Sequence, residues 1–95
     1  MPEMHFRIQW PDGSEEMCYS PSLVIKDYFS PGQVYDLEDF LTRSRTAFGI
    51  ANERMMSKYG FPCSRAISQL QRLESAATQH EVAENPKVQV LQFQE

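Results

Sequence analysis

Cysteine is scarce: Cys18 and Cys63 are the only two, 45 positions apart. They form no CxxC pair. With His5 and His80 as the only imidazoles, no paired ligands stand at the spacing a zinc site needs. An intracellular chain keeps such thiols reduced, so free cysteines are expected rather than a disulfide. Long apolar runs are also missing, and none approaches the ~20 residues of a membrane-spanning helix. Met1-Pro2-Glu3-Met4-His5 carries neither the basic nor the apolar segment of a secretory leader, so a cytoplasmic protein with no membrane partner is expected. No GxGxxG, GxxxxGK, GxSxG or HExxH pattern occurs, so no cofactor, no metal and no enzyme activity are expected. Positive charge is short as well. Nine Lys and Arg face thirteen Asp and Glu, a formal net charge of −4, which argues against a nucleic-acid partner.

What is present suits one small domain over residues 1–95. Met4, Phe6, Ile8 and Trp10 alternate with His5, Arg7 and Gln9, the period-two pattern of a strand with one face toward a core. Pro11-Asp12-Gly13 reverses the chain, and Ser14 to Tyr19 reads as the returning strand. Met17 and Tyr19 then share one face, and Glu16 and Cys18 the other. Residues 22–29 fit either a strand or a short helix begun by a Ser cap with Pro in the first turn, the helix being preferred. Ser30-Pro31-Gly32 is a turn, and Gln33-Val34-Tyr35 leads out of it.

Asp36 opens a long helix, its carboxylate placed to cap the first turn. Leu37, Phe40, Leu41, Ser44, Ala47, Phe48, Ala51, Met55 and Tyr59 recur at helical spacing as one buried stripe. Gly60 stops it. Ser64 caps a second helix to about Thr78, with Ala66, Ile67, Leu70, Leu73 and Ala77 on its apolar side. The short link makes the two an antiparallel pair. Lys87 to Gln94 closes the chain as a strand. Val88 and Val90 share one face, and Leu91 and Phe93 the other, a slip that signals a bulge or a strand covered on both faces. The expected fold is α+β: an N-terminal β-hairpin, a helical hairpin and a C-terminal strand, with a small sheet covered on one face by helices.

Charge is segregated along the chain. Residues 1–41 carry two basic against eight acidic side chains, residues 42–73 six against one, and residues 74–95 one against four. Basic helices compensating acidic strands is the plain explanation. The functional one is a basic surface for an acidic partner or an anion, made of Arg43, Arg45, Arg54, Lys58, Arg65 and Arg72. Cys18 and Cys63 are the candidate thiols. His5 is expected to pair near residues 20–21, about two positions from Cys18 on a shared face. Of the amphipathic Tyr19, Tyr28, Tyr35 and Tyr59, some are expected to pack in the core with the hydroxyl at its rim, and a cluster left exposed would mark a protein interface.

Phe6 to Trp10, Pro11-Asp12-Gly13-Ser14-Glu15-Glu16, Cys18-Tyr19-Ser20-Pro21-Ser22, Ser44-Arg45-Thr46-Ala47, Tyr59-Gly60-Phe61 and Cys63-Ser64-Arg65-Ala66 carry a resemblance over Met1 to about Ala77. The chain resembles a small bacterial family of nitrogen starvation response proteins whose genes accompany a nitrilase gene cluster. The resemblance implies a role beside nitrile or cyanide assimilation, with an enzyme of that cluster as a protein partner. It supplies no catalytic residues. A non-enzymatic accessory or binding protein is therefore the leading expectation, its surface running from the Pro11–Pro21 region to the basic helices. A small cysteine-dependent enzyme or thiol carrier is the alternative, and a nucleic-acid-binding regulator a third. A homodimer paired through a sheet edge is a further expectation.

Overall fold

A computed structural model describes residues 3–95; Met1 and Pro2, the start of the segment read for a leader, lie outside the described residues. The elements are β1 (Met4–Gln9), β2 (Glu15–Ser20), α1 (Ile25–Tyr28), β3 (Val34–Asp36), α2 (Leu37–Tyr59), α3 (Ser64–His80) and β4 (Lys87–Gln94). The strands form one sheet in the order β2-β1-β4-β3, antiparallel throughout. The expected α+β architecture is thus the observed one.

The alternation in β1 does what the pattern implies: Met4, Phe6 and Ile8 are buried. The turn is fastened by Trp10 N–H to Ser14 O at 2.7 Å and Gly13 N–H to Trp10 O at 2.9 Å. Asp12 Oδ1 accepts from the Ser14 hydroxyl at 2.6 Å and the Ser14 N–H at 2.9 Å. Those bonds hold its carboxyl below the usual range. His5 pairs with Tyr19, and Cys18 with Phe6 on the core side. His5 and Cys18 therefore lie on opposite faces of the hairpin, not on a shared one, because successive strand residues alternate.

β4 inserts between β1 and β3. Arg7 pairs with Gln92 and Ile8 with Val90, so Leu91 is the extra residue of a bulge. The bulge returns Phe93 to the side of its partner Phe6, where it packs against the core with Val88 and Val90. Phe93 thus does not take the face opposite the valines, as simple alternation predicts. β3, read in the sequence as a connection, is a short strand because β4 offers it a free side. Gly32 N–H donates to Val90 O at 2.7 Å and Val90 N–H to Gln33 O at 3.0 Å.

The short helix preferred for residues 22–29 is present, but it starts at Ile25, so Pro21 precedes its first turn. Serines shape that approach. The Ser20 hydroxyl donates to Ser22 O at 2.7 Å, and Ser22 Oγ accepts from Val24 N–H at 3.3 Å. Asp36 sits at the N-cap position of α2 without a side-chain cap bond. Its carboxylate pairs with Lys87 instead, and the Leu37 N–H finds Pro86 O at 3.0 Å. Tertiary contact has displaced the local cap. Gly60 ends α2 in the left-handed region at φ 84°, its N–H bound to Met56 O at 2.9 Å. α3 begins one residue past the cap position, which Cys63 rather than Ser64 occupies.

α2 and α3 pack antiparallel. Arg45 meets Glu74 at 3.5 Å, and the Cys63 N–H donates to Asn52 Oδ1 at 3.2 Å nearer the connection. The α2 stripe is buried from Leu37 to Ala51. Its end is not: Met55 is half-buried and Tyr59 is 45% exposed, while Ile67 on α3 is 39% exposed. The reason is length. Twenty-three residues rise ~35 Å as a helix, whereas six-residue strands span ~20 Å. The hairpin tip overhangs the sheet.

Candidate functional site

The overhanging tip presents Met56, Tyr59 and Phe61, exposed by 49%, 45% and 62%. The Tyr59 and Phe61 rings lie 6.5 Å apart, and Lys58 Nζ stands 5.5 Å from the Tyr59 ring. Toward the sheet the patch continues into an open cleft of about 270 Å³ lined by Glu3, Tyr19, Pro21, Met55, Tyr59 and Phe61. The last turn of α2, the connection to α3 and the end of β2 therefore build one surface.

Tyr19 joins this surface to a second groove. It leaves the outer face of β2, is itself buried, and carries the Arg65 guanidinium 3.9 Å above its ring. The His5 ring meets it edge-on at 5.8 Å. Burial, with Cys63 and Glu3 nearby, pushes the Tyr19 hydroxyl up to about 12. The groove beyond, about 340 Å³, runs between the open face of the hairpin and α3, with His5, Glu16, Met17, Arg65, Ser68 and Arg72 on its walls.

The six basic residues singled out in the sequence do not form one patch. Arg43 bonds Asp39 at 3.0 Å and Tyr28 O at 2.8 Å, and covers the Tyr35 ring at 5.1 Å, tying α1 to α2. Arg45 pairs with Glu74 between the helices. Arg72 reaches both oxygens of Glu16, at 3.2 and 3.3 Å, while the Trp10 indole N–H donates to Glu16 at 3.0 Å. Arg54 donates to Ser22 Oγ at 3.1 Å. Lys58 stands at the tip. Arg65 and Arg72 alone line the same groove. Of these side chains Arg72 meets an acidic strand residue, while Arg43 and Arg45 meet carboxylates on the helices themselves.

Both cysteines are free. Cys18 is fully buried, and burial, with Glu16 nearby, pushes its thiol well up, so it stays protonated and chemically quiet. Cys63 is half-buried at the N-cap of α3. His80 stacks on Trp10 at 5.1 Å. Among the described residues no group of three His, Cys, Asp or Glu is placed to hold a metal ion. No described helix is long and apolar enough to cross a membrane.

Sequence reasoning missed Met56 and Phe61. The available signal was an aromatic immediately after the helix-stopping Gly60, outside any periodic stripe.

Together these features define a small α+β protein with a helical hairpin on one antiparallel sheet and an exposed apolar patch at the hairpin tip. No curated protein and no solved structure matches the chain. A family model does: that of the nitrogen starvation-induced protein NitG matches residues 5–93. The chain belongs to that family, which agrees with the nitrogen-starvation resemblance read from its sequence and carries nothing about a nitrilase gene cluster.

Proposed function

We propose that this nitrogen starvation-induced protein is a non-enzymatic accessory protein of the cytoplasm that docks on a partner protein through its hairpin tip. One observation carries the reading. Met56 and Phe61, with Tyr59 between them, expose large apolar surface beside a cleft. Aromatic and methionine side chains are enriched at protein interfaces, and tyrosine is a frequent hot spot. Arg54, Lys58 and Arg65 stand near this surface, so the partner offers an apolar pocket with an acidic rim. The resemblance to the small protein of nitrilase gene clusters makes an enzyme of such a cluster the partner of choice.

The test is biolayer interferometry against each purified cluster enzyme. The expected result is saturable binding to one of them, weakened at least tenfold (about 1.4 kcal/mol) by Phe61→Asp and unchanged by Glu84→Lys in the distant 81–86 loop. Binding to none, or equal binding by the folded Phe61→Asp variant, overturns it.

A second reading rests on Cys63, the half-buried thiol at the α3 N-cap beside Tyr19. It requires a reactive thiolate, and alkylation no faster than that of a free-cysteine peptide between about pH 6 and 9 removes it. If the protein pairs with its twin, β4 is the edge that serves. Gln69 already accepts the Tyr19 N–H on the β2 edge at 3.0 Å, whereas Leu91–Gln94 pair with β1 alone. Light scattering after size exclusion measures that.

A further inference from the structure

Six arginines occur in the chain. Four meet carboxylates: Arg7 with Glu15, Arg43 with Asp39, Arg45 with Glu74 and Arg72 with Glu16. Arg54 has the Ser22 hydroxyl. Arg65 differs. Its guanidinium lies 3.9 Å above the Tyr19 ring and, among the described residues, has no hydrogen-bond acceptor or carboxylate partner. Tyr19 is itself held: its ring is buried and its backbone N–H is tied to Gln69 at 3.0 Å. The contact with a held ring restrains the guanidinium, and Arg65 lines an open groove with no protein carboxylate assigned to it.

We infer, building on the docking reading above, that Arg65 is the seat for a carboxylate side chain of the partner protein. A planar fork that is already restrained is suited to bidentate recognition of a carboxylate, because less rotamer freedom is lost on binding. Ser68, one turn along α3, and the His5 ring line the same groove and supply further polar contacts. Met17 gives it an apolar wall for the carbon chain of the acidic residue. Glu16 selects among anions. It stands on the groove wall, engaged by Arg72 and Trp10, and its charge disfavours a phosphate dianion more than a single carboxylate.

The test is NMR titration of the 15N-labelled full chain, following the Arg65 side-chain Nε–H and the Ser68 amide. The probes are sodium acetate, the blocked tripeptide acetyl-Ala-Glu-Ala-amide and inorganic phosphate, at constant ionic strength. The expected result is saturable shifts at both signals, tighter for the peptide than for acetate and weakest for phosphate. Arg65→Lys should weaken peptide binding at least fivefold, since it keeps the charge and loses the fork. Arg65→Gln should abolish the Ser68 response. Non-saturable shifts, or a Ser68 response unchanged in Arg65→Gln, overturn the site. Tightest binding of phosphate overturns the carboxylate assignment, and acetate matching the peptide overturns a protein side chain as the source. None of these readouts depends on the tip. Failure here with Phe61→Asp still weakening docking removes the Arg65 seat and leaves the docking reading standing.

Discussion

Two phenylalanines make opposite demands on the same substitution. Phe29 is 2% exposed and touches three rings: Phe6 at 6.2 Å, Tyr35 at 5.2 Å and Phe40 at 5.3 Å. It joins the end of α1 to β1, β3 and α2 at once. Phe29→Ala removes that hub and leaves a cavity, a loss of about 3–5 kcal/mol. A 95-residue domain holds roughly 5–14 kcal/mol in all, so the variant should sit near the edge of folding. Its Tm should fall by roughly 15–30 °C. Phe61, 62% exposed, should lose no more than about 0.5 kcal/mol as Phe61→Ala. Urea unfolding followed by fluorescence of Trp10 measures both. That single tryptophan is 4% exposed between Phe40 and His80, so it reports on the core directly. A loss below about 1.5 kcal/mol for Phe29→Ala would refute the hub, given the usual range for buried Phe. A loss above about 1 kcal/mol for Phe61→Ala would show the tip to be structural, since exposed sites rarely cost that much.

Further outcomes are expected. Gly49→Ala on the exposed side of α2 meets nothing within 4 Å and should stabilise by about 0.5–1 kcal/mol. Gly60→Ala at φ +84° should instead destabilise by about 1 kcal/mol, with chemical denaturation giving both signs. Ser44 is fully buried with its hydroxyl unpaired among the described residues, so Ser44→Ala should be neutral or stabilising by up to ~1 kcal/mol in the same assay. Maleimide should label Cys63 in the native protein and Cys18 only on unfolding. Because burial raises the folded Cys18 pKa, the unfolded thiol ionises first, near pH ~8.5. Stability should therefore fall as pH rises above that value, and Cys18→Ala should flatten the fall in urea titrations across about pH 7–10.

The strands and helices were legible because each carries its own period. Met4 to Trp10 alternates, Leu37 to Ala51 recurs at helical steps, and Gly13 and Gly60 mark reversals that positive φ requires. The bulge was legible too, since one extra residue at Val90-Leu91 breaks a strict alternation. Local chemistry placed Asp36 at the α2 cap position but not its bond, and set the α3 cap one residue late: Asp36 faces Lys87, and the Cys63 N–H is held by Asn52 of the neighbouring helix. β3 has no pattern of its own and exists because β4 lies beside it.

The site divides along the same line. Composition and the resemblance carried the family and the basic character of the helices. They could not say which arginines are already paired, because pairing depends on which elements become neighbours. Sequence determined the periodicities, and with them the elements, the buried faces and the α+β class, since those follow from contacts only a few residues apart. Tertiary structure alone decided that α2 outruns the sheet, that Tyr59 and Phe61 stand in solvent, and that Arg65 rests on Tyr19, because each depends on distances between segments far apart in the chain.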